Sequence, residues 1–181
     1  MAGTPIVVGG LPIPDSRPIF LAVLGVHVLA AGVAVVAGAV AALSAKRPGR
    51  HPRLGRVYYL ALCVAFVSIV GLAVLRWGHN WHLLAIGTAA FGAATAGVVA
   101  RRRRPRGWRR VHGASMGGSY IALLTGFYVD NGPNLPLWRH LPHVTYWLLP
   151  AAVGVPIVLL ALRRDARSRK SFALSAGRHR A

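Results

Sequence analysis

Hydrophobic positions in this chain neither alternate nor recur every third or fourth residue; they come in blocks. Five blocks contain no charged residue: 19–43, 57–75, 82–100, 113–129 and 144–162, with lengths of 25, 19, 19, 17 and 19 residues. A helix rises about 1.5 Å per residue and a hydrocarbon core is about 30 Å thick, so blocks of roughly 17 to 25 residues match its span. The pattern predicts an all-α fold, a polytopic integral membrane bundle of five transmembrane helices over those blocks. A lead at 1–18 and a basic tail at 163–181, expected to be solvated and disordered, flank it. The fourth block is the least apolar, with four glycines, two serines and a threonine in 17 residues. Its helix can borrow a turn from Trp108 to His112. The fifth carries Pro150 and Pro156, which each remove a backbone hydrogen bond, a defect tolerated in membranes when neighbours re-satisfy the freed carbonyl. Rows of small residues four apart, Ala34–Gly38–Ala42, Ala89–Ala93–Gly97 and Gly113–Gly117, predict close helix approach, with the third and fourth spans near the centre.

Charge changes this picture by adding a direction. Twenty-two Lys and Arg stand against three acids, a formal charge of +19, and a chain of that kind is drawn to polyanions. The positions of the cations decide which. Nineteen of the 22 lie in alternate connections: Lys46, Arg47, Arg50, Arg53 and Arg56, then seven in 101–112, then seven after Leu162; the other side has Arg17, Arg76 and Arg139. Lys/Arg excess marks cytoplasmic loops, so the N-terminus is expected outside and the C-terminus in the cytoplasm. The expected polyanion is the surface of the inner membrane, whose anionic headgroups attract such side chains by about 1 kcal/mol each. No nucleic acid partner is expected. Residues 1–18 have no positive n-region and the first block exceeds an h-region in length, which argues against a cleaved signal peptide.

The chemistry-bearing residues are few. Cys63 is the single cysteine, which excludes an intrachain disulfide and a cysteine metal site. There is no glutamate, and Asp15, Asp130 and Asp165 all lie outside the blocks. Paired-acid catalysis and carboxylate proton relays are therefore absent from the spans, no nucleophile triad is visible, and no catalytic residue is assigned.

Eight histidines remain. His79, His82, His140 and His143 sit among Trp77, Trp81, Trp138, Tyr146 and Trp147, the composition of an interfacial aromatic belt. His179 is in the tail. His27 lies about 12 Å inside the first block, where an imidazole either bonds a neighbouring helix or binds a ligand. Haem b held by paired histidines is the sharp alternative to belt and capping roles, with His27 and His82 as outer candidates and His51 and His112 as inner ones. Depth argues against the outer pair, because His82 opens its block whereas His27 is two turns down. His112, Ser115, Ser119 and Ala122 share one helical face, which suits either a quinone headgroup or helix-to-helix hydrogen bonding.

Two segments carry a resemblance. "HPRLGRVYY" before the second block and "HGASMGGSY" entering the fourth look like the bacterial membrane-protein family catalogued as domain of unknown function 2306. The matching positions are His51, Arg53, Gly55, Arg56 and Tyr58, then His112, Met116, Ser119 and Tyr120, with Gly118 where the family often has an arginine. The similarity runs from residue 46 to about 162 and implies a multi-pass inner-membrane protein without a defined activity. The function expected is that of a structural or accessory membrane component, in contact with a membrane protein partner or a second copy. Handling of haem b or a quinone by histidines is the alternative.

Overall fold

The computed structural model describes residues 6–8, 11–13, 15–46 and 49–178. His179 lies outside them. Two three-residue strands, β1 (Ile6–Val8) and β2 (Leu11–Ile13), pair antiparallel with Val8 opposite Leu11. Everything after them is helical: α1 (Pro18–Leu43), α2 (Arg50–Leu75), α3 (Trp77–Arg103), α4 (Trp108–Asn131) and α5 (Val144–Arg178), with two single 3₁₀ turns at Gly132–Asn134 and Trp138–His140.

Four of these helices are long and apolar enough to cross a membrane: α1, α2, α3 from Asn80, and α5 as far as Ser168. The helix α4 is long enough, but Arg109 and Arg110 in its first turn and its glycine and serine content leave it less apolar. It does take the extra turn from Trp108. The chain continues helical further than the apolar blocks: α2 starts at Arg50, and α5 runs without interruption through Pro150, Pro156 and the basic stretch to Arg178. The tail through Arg178 is thus helix and not irregular chain, because arginine and alanine are good helix formers and nothing after Pro156 breaks the run.

Consecutive helices pack against each other, and α4 also reaches α1, so α1 to α4 close a four-membered ring with α5 laid on the outside of α4. The backbone of α4 therefore runs beside those of α1, α3 and α5. Of the spans, α2 is the most covered and not α3. Alanine lines the core: Ala34, Ala37, Ala90 and Ala94 surround Tyr58 and Leu62, with Met116, Tyr120 and Leu123 packed against them. The buried stripe on α1 is Ala30, Ala34, Ala37 and Ala41, while Ala42 is exposed; on α3 it includes Ala90 and Ala94, while Ala89 is exposed. Both stripes mix steps of four with steps of three or drift by one position, since an unbroken step of four rotates away from a neighbour that the 3.6-residue turn keeps in line. Large apolar side chains also cover the outside, among them Leu29 at 73%, Val67 at 70% and Ile157 at 60% exposure. Helices apolar on every side suit a surrounding hydrocarbon and would be a liability in water.

The connections up to α4 are short, whereas that from α4 to α5 runs from 132 to 143. A single residue, Arg76, separates α2 from α3, and Asn80 seals the corner by donating from Nδ2 to the Leu72 carbonyl at 3.1 Å. Between α3 and α4 the backbone turns left-handed twice, at Arg104 (φ 50°) and Gly107 (φ 74°). Glycine adopts the second without steric cost.

Candidate functional site

The polar groups of the ring fall into a central node and two end clusters. At the centre, α2 and α4 face each other across the ring, and the Tyr58 hydroxyl meets the Ser119 hydroxyl at 2.6 Å. Both residues are sealed, at 2% and 0% exposure. Next to them the Tyr120 hydroxyl donates to the Val35 carbonyl of α1 at 3.0 Å, and the two tyrosine rings lie 6.2 Å apart. Only a glycine on α1 leaves room for both rings: a Cβ on Gly38 would stand 2.6 Å from the Tyr120 ring and 2.9 Å from the Tyr58 ring. Tyr59 extends the pattern by meeting the Thr95 hydroxyl of α3 at 3.2 Å.

His27 belongs to the same kind of bonding. Its Nδ1 lies 3.1 Å from the Ala65 carbonyl and 3.0 Å from Ser68 Oγ, both on α2. A carbonyl accepts only, so the ring proton that serves it sits on Nδ1. His82 has different neighbours, Trp81 at 5.9 Å and Trp147 at 6.3 Å between ring centroids. The structure thus gives the outer pair separate surroundings, as their depths require.

The arginine-rich end holds the inner pair. His51, in the first turn of α2, donates from Nδ1 to the Ala41 carbonyl in the last turn of α1 at 2.9 Å. His112, in the second turn of α4, donates from Nδ1 to the Gly97 carbonyl of α3, also at 2.9 Å. The His112 ring is half-buried there. Trp108 stands beside it, with the Arg104 and Arg109 guanidinium groups over its indole at 5.9 and 5.3 Å.

At the opposite end, β2 seats Ile13 against Phe20, Ile69 and Leu72. Asp15 follows it, fully covered, with Arg17 wrapped around it: the Arg17 amide donates to Oδ1 at 2.9 Å, and Nε and Nη2 donate to Oδ2 at 2.9 and 2.6 Å. These hydrogen bonds hold the Asp15 carboxyl below the usual range, with a smaller contribution from Arg76. Where the chain enters α5, Tyr146 donates to the Trp138 carbonyl at 2.9 Å, and the Trp138 ring lies tilted against Tyr128 at 4.5 Å between centroids. His143 lies edge-on to Tyr146, and Arg139 donates to His140 Nε2 at 3.1 Å.

Among the described residues no three His, Cys, Asp or Glu side chains converge. Sequence reasoning missed the tyrosines of the node. The signal was present, because Tyr58, Ser119 and Tyr120 all lie in the two segments singled out by resemblance. Comparison with protein-family models, curated proteins and solved structures found no match.

Proposed function

We propose that the chain is a multi-pass inner-membrane protein in which α4 crosses with the other four helices, the N-terminus outside and the C-terminus cytoplasmic, serving as a structural or accessory component through helix contacts with a partner or a second copy. Membership of the family of domain of unknown function 2306 is part of the proposal and rests on the segments at 51–58 and 112–120. The observation that carries the reading is the use made of polar side chains inside the ring. His27, Tyr58, Tyr59, Ser119 and Tyr120 each bond another helix. In hydrocarbon such groups hold helices together. The polarity of α4 supports a span on the same ground, since Ser119, Gly113, Gly117 and Gly126 face other helices, with Gly118 turned outward.

Orientation follows from the cations and is tested by single cysteines at Gly78, Asn134 and Gly107 in a Cys63→Ala background. The first two are expected to react with an impermeant maleimide on intact cells and the third only after lysis. Reaction of position 107 on intact cells would reverse the assignment. A second reading, haem b or quinone binding, has one observation in its favour: His51 and His112 both spend Nδ1 on a carbonyl of the neighbouring helix.

A further inference from the structure

Helix α1 keeps one face out of the ring, and that face is not smooth. Val28, Leu29, Gly32, Val36 and Val40 line a groove along it, with Leu54 of α2 beside one end. The groove has a volume of about 490 Å³, within the range of sites that take small molecules, and every residue that lines it is apolar. Nothing lies within 4 Å of a Cβ built on Gly32, so bare backbone forms the wall at that point.

Its length and its charged end say what it fits. The twelve steps from Val28 to Val40 rise about 18 Å, close to the depth of one leaflet of a hydrocarbon core about 30 Å thick. His51 ties the first turn of α2 to Ala41 in the last turn of α1, so Val40 and Leu54 both lie about one turn in from the arginine-rich end. Arg50 precedes Leu54 by four residues and stands above it on the same face of α2, exposed. Lys46 and Arg53 are exposed at that end too. Neither α1, nor α2, nor the connection between them contains an acid. An apolar channel one leaflet deep that ends beneath cations complements an acyl chain joined to a phosphate. A second copy is a poorer match. Inserted in the same orientation, it would bring its own Lys46, Arg50 and Arg53 up to these, and like charges repel.

We propose that this groove binds one anionic phospholipid of the inner leaflet, with an acyl chain along α1 over Gly32 and the phosphate at Lys46 and Arg50. The inference rests on the membrane orientation proposed above and adds to it a discrete lipid site. Purified full-length protein in dodecyl maltoside is mixed with phosphatidylglycerol carrying a diazirine in one acyl chain, irradiated, and its cross-links mapped by peptide mass spectrometry. Labelling is expected to concentrate on residues 28–40. Unlabelled phosphatidylglycerol should displace it at a concentration at least about fivefold lower than phosphatidylcholine of the same chains, the factor that one cation at a membrane surface supplies. The Lys46→Gln/Arg50→Gln variant should bring the two lipids to within about twofold of each other. Gly32→Leu, which fills the groove, should lower labelling of 28–40 at least about threefold, whereas the same change at Gly25, outside the lining, should leave it unchanged. Labelling spread evenly over the exposed faces of α1, α3 and α5 would overturn the proposal while leaving the protein in the membrane; absence of labelling from every helix would remove the membrane reading as well. Equal displacement by the two lipids, or a preference that survives the double variant, would also overturn it. So would a wild-type dimer that Gly32→Leu dissociates and that carries no label at 28–40, which gives the groove to a second copy, or displacement by a ubiquinone at lower concentration than by phosphatidylglycerol.

Discussion

Gly38→Ala is the smallest change that tests whether the tyrosine node holds the bundle together. A Cβ at 38 would meet Tyr120 carbons at 2.6 and 2.7 Å and a Tyr58 carbon at 2.9 Å, whereas ordinary contact begins at 3.4 Å. Both rings would have to withdraw by several tenths of an ångström. Neither is free to do so, because Tyr58 is tied to Ser119 at 2.6 Å and Tyr120 to Val35 at 3.0 Å. Overpacking a filled interior costs about 1 to 3 kcal/mol, and losing one of the two hydrogen bonds adds about 0.6 kcal/mol on the scale measured inside membranes. Helix propensity acts in the opposite sense, since alanine is favoured over glycine by up to about 1 kcal/mol in a helix interior. The net expectation is a loss of roughly 1 to 2 kcal/mol. Gly25→Ala and Gly32→Ala on the same helix supply the reference, because nothing lies within 4 Å of a Cβ at either position. Unfolding of the three variants in mixed micelles of dodecyl maltoside and dodecyl sulfate measures the difference directly. If Gly38→Ala unfolds at the same dodecyl sulfate fraction as Gly25→Ala, the rings do not fill the space beside α1 and the node is not a packing centre.

Tyr58→Phe and Ser119→Ala should each destabilise the bundle, and the double variant should lose less than the sum, with a coupling of about 0.6 to 1.7 kcal/mol; the same mixed-micelle unfolding reads it, and strict additivity would mean that the hydroxyls do not interact. Asp15→Asn should be less stable than the wild type at neutral pH, since a carboxyl whose pKa is lowered by Arg17 stabilises the folded state above its unfolded value near ~3.9 and loses that contribution as pH falls through the folded value. Melting temperatures of the two proteins in detergent should converge as the pH is taken down towards 3, and a gap that stays constant would exclude the carboxylate as its origin.

The helices were legible because a span makes two demands that any sequence displays, sufficient length and freedom from charge. Their ends were not. Hydropathy stops at Val57, yet α2 begins at Arg50, and it stops at Leu162, yet α5 continues to Arg178. Arginine is a good helix former whose long side chain can reach water from the end of a buried helix, so a change in polarity does not mark a change in backbone conformation. Rotation of each helix about its axis was legible only in part. The small-residue rows found the right helices, but Ala42 and Ala89 face outward whereas Ala41 and Ala90 face the core. A pattern with several small residues in every turn supports more than one face, and the partner helix decides between them.

Gly38 shows why the site was harder to read than the fold. As a small residue in a row of small residues it suggests two backbones in close approach, whereas the structure fills the space beside it with two tyrosine rings. The tyrosines come from α2 and α4, and the contact that fixes them joins residues 61 apart in the chain. No local spacing encodes such a contact. What the sequence does display is that each of these two helices begins with a histidine near its cationic end and carries its node residue about two turns further in, His51 with Tyr58 and His112 with Ser119. Seven residues separate the members of each pair, which is close to two full turns, so each histidine lies over its node residue on one face. Tyr58 and Ser119 meet at the centre of the ring, while at its end His51 turns to the Ala41 carbonyl of α1 and His112 to the Gly97 carbonyl of α3. A change that rotates α2 or α4 away from the node would therefore disturb both the core contact and the hydrogen bond that its histidine makes to the next helix.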